Sequence, residues 1–246
     1  MTLVFLFLAA MGAGLMNALA GGGSFVTLPA LMFTGLDARA ANITSTIALF
    51  PGQVTTGLAG RSLLGGVGAL SFQVLVAISV AGGALGAFLL LATPASFFER
   101  LLPFLVLFAT ALFAWGSFMR RPNPAYGHLS HKAAALVQFL ISVYGGYFGG
   151  GIGFLMLAAL TMAGLNVHHA GALKNALAGA MNAIAVVIFA FSPHVGWVQA
   201  PFAAVGAILG GQAGVWAMTR VNEVLLRSTV VCIGLALTIG LFVRAW

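Results

Sequence analysis

Acidic residues are almost missing from this chain. Its 246 residues include three of them, Asp37, Glu99 and Glu223, and all charged residues together make up 5%. A soluble fold is excluded, because soluble domains carry roughly a quarter of their residues as charges. Hydrophobic residues account for 61% of the chain, and the mean hydropathy is +1.11. We therefore expect an all-α integral membrane protein with essentially no extramembrane domain.

Cysteine and catalytic motifs are also scarce. The one cysteine, Cys232, allows neither a disulfide pair nor a thiolate metal cluster, and we interpret it as a small buried hydrophobe. The sequence contains no nucleotide-binding loop, no paired carboxylates and no Ser/His/Asp arrangement. It therefore predicts neither an enzyme nor a cofactor. If the protein transports a solute, the driving force is an ion gradient, the membrane potential or the solute gradient.

Positive charge is present, and most of it belongs to short polar loops. The formal net charge of +7 orients the chain in the bilayer and does not suggest a nucleic acid as partner. The apolar run 3–16, followed by Ala18-Leu19-Ala20, has the look of a secretory signal with its cleavage site. No positive charge precedes the run, so we expect it to stay in the mature protein.

Two glycine triplets dominate what the chain does contain. Gly21-Gly22-Gly23 and Gly149-Gly150-Gly151 lie 128 positions apart, and the same spacing joins a second glycine group at 82–86 to one at 210–214. We interpret this spacing as a duplicated module. The predicted organisation is a first transmembrane repeat over 1–119, a cytoplasmic linker over 120–132 and a second repeat over 133–246. The second glycine groups are interpreted as helix-packing sites.

The apolar segments show how the triplets divide the chain. Most approach the 20 or so residues that a spanning helix needs, but segments 24–34 and 152–163 are too short, and each directly follows a triplet. The predicted segments are 2–19, 24–34, 40–60, 67–93, 101–118, 133–148, 152–163, 170–191, 197–219 and 224–243. Each triplet is therefore either a kink in a spanning helix or the bend of a re-entrant hairpin.

The loop charges favour the hairpins, because cytoplasmic loops are enriched in Lys and Arg. Kinked helices give parallel repeats and divide the charges five to four, whereas hairpins give inverted repeats and divide them six to three. The hairpin division sets Arg61, Arg120, Arg121, Lys132, Arg220 and Arg227 against Arg39, Arg100 and Arg244. We predict inverted repeats, each a re-entrant hairpin followed by three transmembrane helices. Both termini then lie outside.

Polar side chains follow each short segment. Asn42, Thr44, Ser45 and Thr46 occupy the first turns of one helix, with Gln53 beyond them. The equivalent helix of the second half carries Lys174, Asn175 and Asn182, which can share one polar stripe. A lysine in an apolar segment is costly and usually faces a cavity or a partner. No acid in the apolar interior is available to pair with Lys174, so we expect an anionic substrate there.

Unpaired backbone N–H groups at the glycine breaks would complement that charge. A helix that starts inside the membrane directs its positive dipole end at a ligand, and Ser24 is predicted to cap the first short helix. The candidate substrate-binding residues are Asn17, Gly21, Gly22, Gly23, Ser24, Thr44, Ser45, Thr46, Gly149, Gly150, Gly151, Lys174, Asn175 and Asn182. Purely structural interpretations remain open for several of them: Lys174 snorkelling to the interface, and Thr44 to Thr46 bonding back to helix carbonyls.

These residues carry a resemblance to a known family. The stretch Gly12 to Thr46, with its glycine break, Pro-containing apolar run, Gly-Leu turn and polar cluster, resembles the first repeat of the TauE/SafE family of membrane transporters. Gly145 to Asn182 and the HVGW stretch from His194 to Trp197 resemble the second. Where many relatives carry a lysine near the first polar cluster, this chain reads Thr44-Ser45-Thr46.

The resemblance implies transport of sulfite, a sulfonate or a related small anion across the bacterial inner membrane. Expected partners are that anion and the lipid bilayer; a coupling ion (proton or sodium) and a homodimer are compatible with the sequence. No metal site is expected: the adjacent His168 and His169 point about 100° apart on a helix, without a nearby acid or cysteine. The alternatives are a channel or carrier for another small solute or metal ion, and a membrane enzyme or assembly factor.

Overall fold

The computed structural model describes residues 1–20, 22–59, 64–118, 130–217 and 223–245. Gly21, Arg61, Arg120, Arg121 and Arg220, on which some of the predictions rest, lie outside these ranges. The described regular structure is helical apart from one isolated bridge between Val67 and Leu70. Its ten helices are α1 (Thr2–Ala20), α2 (Ser24–Phe33), α3 (Ala38–Ala59), α4 (Phe72–Ala92), α5 (Ala95–Phe118), α6 (His131–Tyr147), α7 (Ile152–Met162), α8 (Val167–Ala190), α9 (Gln199–Ala217) and α10 (Glu223–Ala245).

The ten predicted segments correspond one to one with these helices. The two short segments become α2 and α7, and the prediction that a glycine break precedes each is confirmed. Two helix starts differ from the predicted segment starts by five and six residues. α4 begins at Phe72 and not at 67, because Ser71 accepts a hydrogen bond from the backbone N–H of Val74 and caps the helix. α5 begins at Ala95 and not at 101. Its first two turns contain the charged residues Glu99 and Arg100, which are not part of the apolar pattern on which the prediction was based.

The two glycine breaks differ in backbone geometry. Gly149 and Gly151 have φ of 78° and 75°, in the left-handed region that glycine enters without a steric penalty. Gly23 has φ of −56° and is needed for a different reason, which is close approach. A Cβ built on Gly23 would lie 2.7 Å from the carbonyl oxygen of Ala13 and 2.9 Å from Cβ of Asn17.

The chain reverses direction at the first break. In a continuous helix Ala13 and Gly23 would be about 15 Å apart, yet their backbones touch. Further from the break, the rings of Phe5 and Phe33 lie with their centroids 5.3 Å apart. α1 and α2 are therefore antiparallel.

Glycines also bring helices of the two halves together. Cβ atoms at Gly206 and Gly210 of α9 would overlap the backbone of α1 at Phe7 and Met11. On α4, Gly82 and Gly86 lie in the same way against α6, Gly82 beside Phe139 and Ser142 and Gly86 beside Val143 and Tyr147. In each pair the contacting residue numbers increase together along both helices, so α1 runs parallel to α9 and α4 runs parallel to α6. The packing interpretation of these glycines is confirmed.

Lipid-facing character is evident from side-chain exposure. Three helical stretches of the described residues, Phe72–Ala92, Ala95–Gly116 and His169–Ala190, are long and apolar enough to span a bilayer. Phe88 on α4 and Phe104 and Phe108 on α5 are half exposed, as is expected of side chains on a lipid-facing surface. The prediction for Cys232 was wrong: it is exposed on α10, because the buried face of that helix is occupied by Val230 and Thr238.

Candidate functional site

The predicted hydroxyl cluster on α3 does not form one pocket. Consecutive residues of a helix point about 100° apart, and Thr44, Ser45 and Thr46 meet three different partners. Thr44 is buried and accepts a hydrogen bond from the backbone N–H of Gly196, at 2.9 Å. It therefore holds the α8–α9 loop and does not face a glycine break.

Thr46 and Asn42 face the break of the second half. The amide of Asn42 donates to the carbonyl oxygen of Tyr147 at the end of α6, at 3.1 Å. Thr46 donates back to the carbonyl oxygen of Asn42, at 3.0 Å, and its Oγ1 lies 4.0 Å from where a Cβ on Gly149 would be. α3 of the first half thus supplies an amide and a hydroxyl beside the second break.

Ser45 faces the break of its own half. Its hydroxyl is hydrogen-bonded to that of Thr27 on α2, and Thr27 in turn donates to the carbonyl oxygen of Gly23, at 3.3 Å. Sequence reasoning missed Thr27. The available signal was a hydroxyl four residues after the triplet, since Thr27 and Ser24 are the two hydroxyl residues of an otherwise apolar short helix.

Lys174 lies beside the start of α7. Its Nζ is 3.4 Å from where a Cβ on Gly153 would be, and Gly153 is the second residue of α7, directly after the second break. No side chain caps α7, and within the described part of the chain no hydrogen bond or ion pair engages the ammonium. The Lys174 ammonium and the N-terminal end of the α7 dipole therefore both contribute positive potential at the start of α7.

Asn182 meets the first half near the α3–α8 contact. Its amide donates to Oε1 of Gln53, at 2.6 Å. The side chain is 3% exposed, and its carbonyl oxygen is buried without a partner in the described residues. Asn175, next to Lys174, is half-buried and makes no hydrogen bond within the described residues.

Comparison with family models matched residues 6–241 to the family described as "Sulfite exporter TauE/SafE". The chain belongs to the TauE/SafE family of membrane transporters. Relatives include a "Probable membrane transporter protein ORF9" of a Sinorhizobium species, 32% identical over 97% of this chain and 92% of that protein. Another is a "Probable membrane transporter protein" of Haemophilus influenzae, 27% identical over 96% and 92%. No solved structure matched significantly.

One predicted role in this TauE/SafE chain is wrong. Ser24 does not cap α2: Gly23 occupies the cap position with no side-chain hydrogen bond, and Ser24 is already the first helical residue.

Two glycines of the triplets are in packing contact with side chains. Gly22 packs against Val230 of α10, whose Cγ1 would lie 3.0 Å from a Cβ on Gly22. A Cβ on Gly150 would lie 2.5 Å from Cε1 of Phe148. For these two glycines the contacts found are packing contacts.

Asn17 lies at a small cavity between the halves. The cavity measures about 10 Å³, enough for about one water molecule. It is lined by Gly14, Asn17, Ala18, Leu49, Gly52, Ala207 and Gly211. Asn17 is thus placed between α1, α3 and α9, apart from Lys174.

A second polar group of this TauE/SafE chain was not anticipated from the sequence. We define the Arg39 cluster as Arg39, Thr93, Tyr147 and His194. Arg39 donates through Nη1 to the carbonyl oxygen of Thr93, at 2.8 Å, and its Nη2 lies 2.9 Å from Nε2 of His194. The hydroxyl of Tyr147 donates to that of Thr93, at 3.3 Å. Arg39 and His194 are 155 positions apart, so nothing local in the sequence joins them.

Proposed function

We propose that this chain carries a small anion, sulfite or an organosulfur (sulfonate) anion, by alternating access around a site between its two halves. The observation that carries the proposal is Lys174 beside Gly153. An ammonium without an ion-pair partner in the described residues is placed where α7 starts, which is itself an electropositive position. An anion bound there would interact favourably with both the ammonium and the start of α7.

The positions of the acids support an anion over a cation. The Asp37 carboxylate accepts hydrogen bonds from the backbone N–H groups of Arg39 and Ala40 and so caps α3. Glu99 lies 3.4 Å from Arg244 in an exposed ion pair. Within the described residues no three His, Cys, Asp or Glu side chains come together as metal ligands. In the part of the chain that the structure describes, no carboxylate or imidazole cation site is thus found beside Lys174.

Inverted repeats are the second part of the proposal. α1 packs on α9 and α6 packs on α4, so the first helix of each half contacts the second spanning helix of the other half. The starts of α3 and α5 lie at one face, where Arg39 meets Thr93, and His131 at the start of α6 lies at the opposite face, where its Nδ1 accepts from the N–H of Ala69. Equivalent helices of the two halves therefore enter from opposite faces, as in inverted-repeat carriers.

The depth of the second hairpin refines the position of the site. The backbone N–H of Tyr147 lies beside Gly86 of α4, six residues before that helix ends at Ala92. At 1.5 Å a residue, the tip is about 9 Å from the end of α4. The hairpin thus crosses the midplane, and α7 brings Gly153 back toward the centre.

Orientation follows from the loop charges. The six-to-three division makes the linker cytoplasmic and both termini external in the inner membrane of a bacterium. We use "outer" for the face that carries the Arg39 cluster and both termini.

Counterflow in proteoliposomes tests the proposed substrate class. Vesicles loaded with unlabelled sulfite should accumulate labelled sulfite, and external taurine or another sulfonate should compete whereas Mn²⁺ and Zn²⁺ should not. Empty vesicles and vesicles with heat-unfolded protein are the controls. Accumulation of a labelled divalent cation, with no counterflow of any anion in the panel, would overturn the proposal.

A further inference from the structure

His194 stands out among the polar groups that the proposed anion site leaves unused. It belongs to the loop between α8 and α9, is half-buried, and meets Arg39 through the ring, with Nε2 2.9 Å and Nδ1 3.4 Å from Nη2. The guanidinium is charged at every accessible pH and can only donate. The contact is therefore a hydrogen bond only when the ring nitrogen that faces Arg39 is an acceptor, that is, when the imidazole is neutral.

Arg39 connects the start of α3, on which it lies, to the end of α4 and to the loop between α8 and α9. Its Nη1 donates to the carbonyl oxygens of Thr93, at 2.8 Å, and of Leu91, at 3.4 Å, at the end of α4. Its Nη2 holds His194 in the second half. The loop is fixed again two residues later, where the N–H of Gly196 donates to the buried hydroxyl of Thr44. These contacts link the first half of the chain to the second at the outer face.

The imidazole can be reached from outside. A groove of about 460 Å³ runs between α4 and α8 and includes His194 and Ser192 in its lining. The rest of the lining is apolar, with Phe191 88% exposed at its rim. Because Phe88, which faces lipid, also lines this groove, the groove is not the proton route. His194 itself is half-buried in the α8–α9 loop, so part of its ring is exposed at the outer face and can be protonated while the contact with Arg39 is still closed.

The other charged and titratable groups on the surrounding elements are Asp37, Glu99, Arg100, Arg244 and Tyr147. All of them except Arg100, an exposed residue of α5, have a hydrogen-bond or ion-pair partner in the described part of the chain. Asp37 caps α3 and lies within ion-pair distance of no described basic group, Glu99 on α5 pairs with Arg244, and Tyr147 donates to Thr93. No described carboxylate is placed to neutralise an added proton. Arg39 is the charged group that His194 meets.

We propose that His194 is the proton-binding site of an outer gate, closed by Arg39 when the imidazole is neutral and opened when it is protonated. Protonation leaves the ring without an acceptor nitrogen and puts two positive charges about 3 Å apart. Imidazole is the side chain that ordinarily changes charge between about pH 5 and 8. The proposal rests on the proposed function only in that the transport pathway runs between the two halves, and it names the proton as the coupled ion.

The test measures loop opening and involves no substrate. In a Cys232→Ser background, Val195→Cys places a thiol under the loop, where Val195 is 8% exposed, and Trp197→Cys places one where Trp197 is 56% exposed. Both proteins are reconstituted in nanodiscs and labelled with a maleimide at pH 8.0 and pH 5.5. The measured quantity is the labelling rate of the Val195→Cys protein divided by that of the Trp197→Cys protein. Taking this ratio removes the pH dependence of the thiolate itself.

With His194 present, the ratio should rise about tenfold on acidification, since uptake of one proton can shift an equilibrium by up to tenfold per pH unit. With His194→Gln, which keeps an acceptor but cannot be charged, the ratio should stay low at both values. His194→Asn serves if the Gln variant does not fold, as judged by size-exclusion chromatography. A flat ratio with His194, or the same rise in the Gln variant, overturns the proposal. Failure of anion counterflow would leave this result untouched, so the two proposals are separable.

Discussion

Lys174 owes its position to two glycines. Gly151 ends the second break in a left-handed conformation, and Gly153, without a side chain, leaves room for the ammonium against the first turn of α7. A cation beside a helix start is unfavourable by itself, because both carry positive potential. That arrangement persists at little cost only where an anion or water can enter, which is why we treat it as a binding feature.

Gly153→Val tests this proximity. The added methyl groups would extend from a Cβ that is already 3.4 Å from Nζ of Lys174 and displace the ammonium. We expect the KM for sulfite counterflow to rise about tenfold, corresponding to roughly 1.4 kcal/mol of binding, with an unchanged thermal midpoint. Gly171→Val on α8 is the matched control, since a Cβ there meets nothing within 4 Å. Equal KM values for the two variants would place the anion elsewhere.

At the residue scale, the sequence predicted types of side chain better than their partners. Lys174 was expected near the second triplet and lies there. Thr44, Ser45 and Thr46 were expected to share a site, but the helical turn of 100° per residue separates them. Arg39 and His194 could not be paired, because their contact depends on the packing of α3 against the α8–α9 loop.

At the scale of elements, glycine sets both where helices end and where they cross. The short helices α2 and α7 were predictable, since a triplet interrupts the apolar pattern in front of each. The crossings of α1 with α9 and of α4 with α6 were predictable only as packing sites, not as specific pairs. A glycine pattern shows that a backbone will approach, but which backbone does so depends on topology.

Gly210→Ala tests the α1–α9 crossing. A Cβ at Gly210 would overlap the carbonyl of Met11, which is backbone and cannot rotate away. We expect the two helices to separate and the protein to lose about 1–3 kcal/mol of stability, seen as a lower midpoint in thermal unfolding followed by size-exclusion chromatography.

Gly179→Ala is the control for that substitution. It lies in the interior of α8 with no atom within 4 Å of a Cβ, so alanine should be neutral or stabilise the helix by up to about 1 kcal/mol. If the two variants unfold at the same temperature, the α1–α9 contact is not as close as described.

At the scale of the whole molecule, the first helix of each half of the chain packs against the other half. The contact of α1 with α9 and that of α4 with α6 leave neither half complete without the other. The sequence indicated duplication through the 128-residue spacing and favoured inversion through the loop charges. It could not indicate this packing, because spacing along a chain carries no information on which copy a helix packs against.

Reporter fusions test the orientation. Alkaline phosphatase, which is active only outside the cytoplasm, should be active when fused after Trp246, and green fluorescent protein fused there should be dark. The same reporters fused after Phe118 should give the opposite result, because the linker faces the cytoplasm. Identical behaviour at the two positions would rule out an odd number of crossings between them and with it the inverted arrangement.

The central claim is that Lys174 supplies the charge of the anion site. Lys174→Met removes that charge at similar length, and Lys132→Met, near the start of α6, is the matched control for loss of one lysine. The decisive measurement is the affinity of purified protein for sulfite, by isothermal titration calorimetry in detergent. Loss of a charged hydrogen bond worth about 1.5–3 kcal/mol predicts that Lys174→Met weakens binding about 10- to 150-fold, while Lys132→Met binds as the unmodified protein does. Unchanged affinity in a folded Lys174→Met protein would contradict the account.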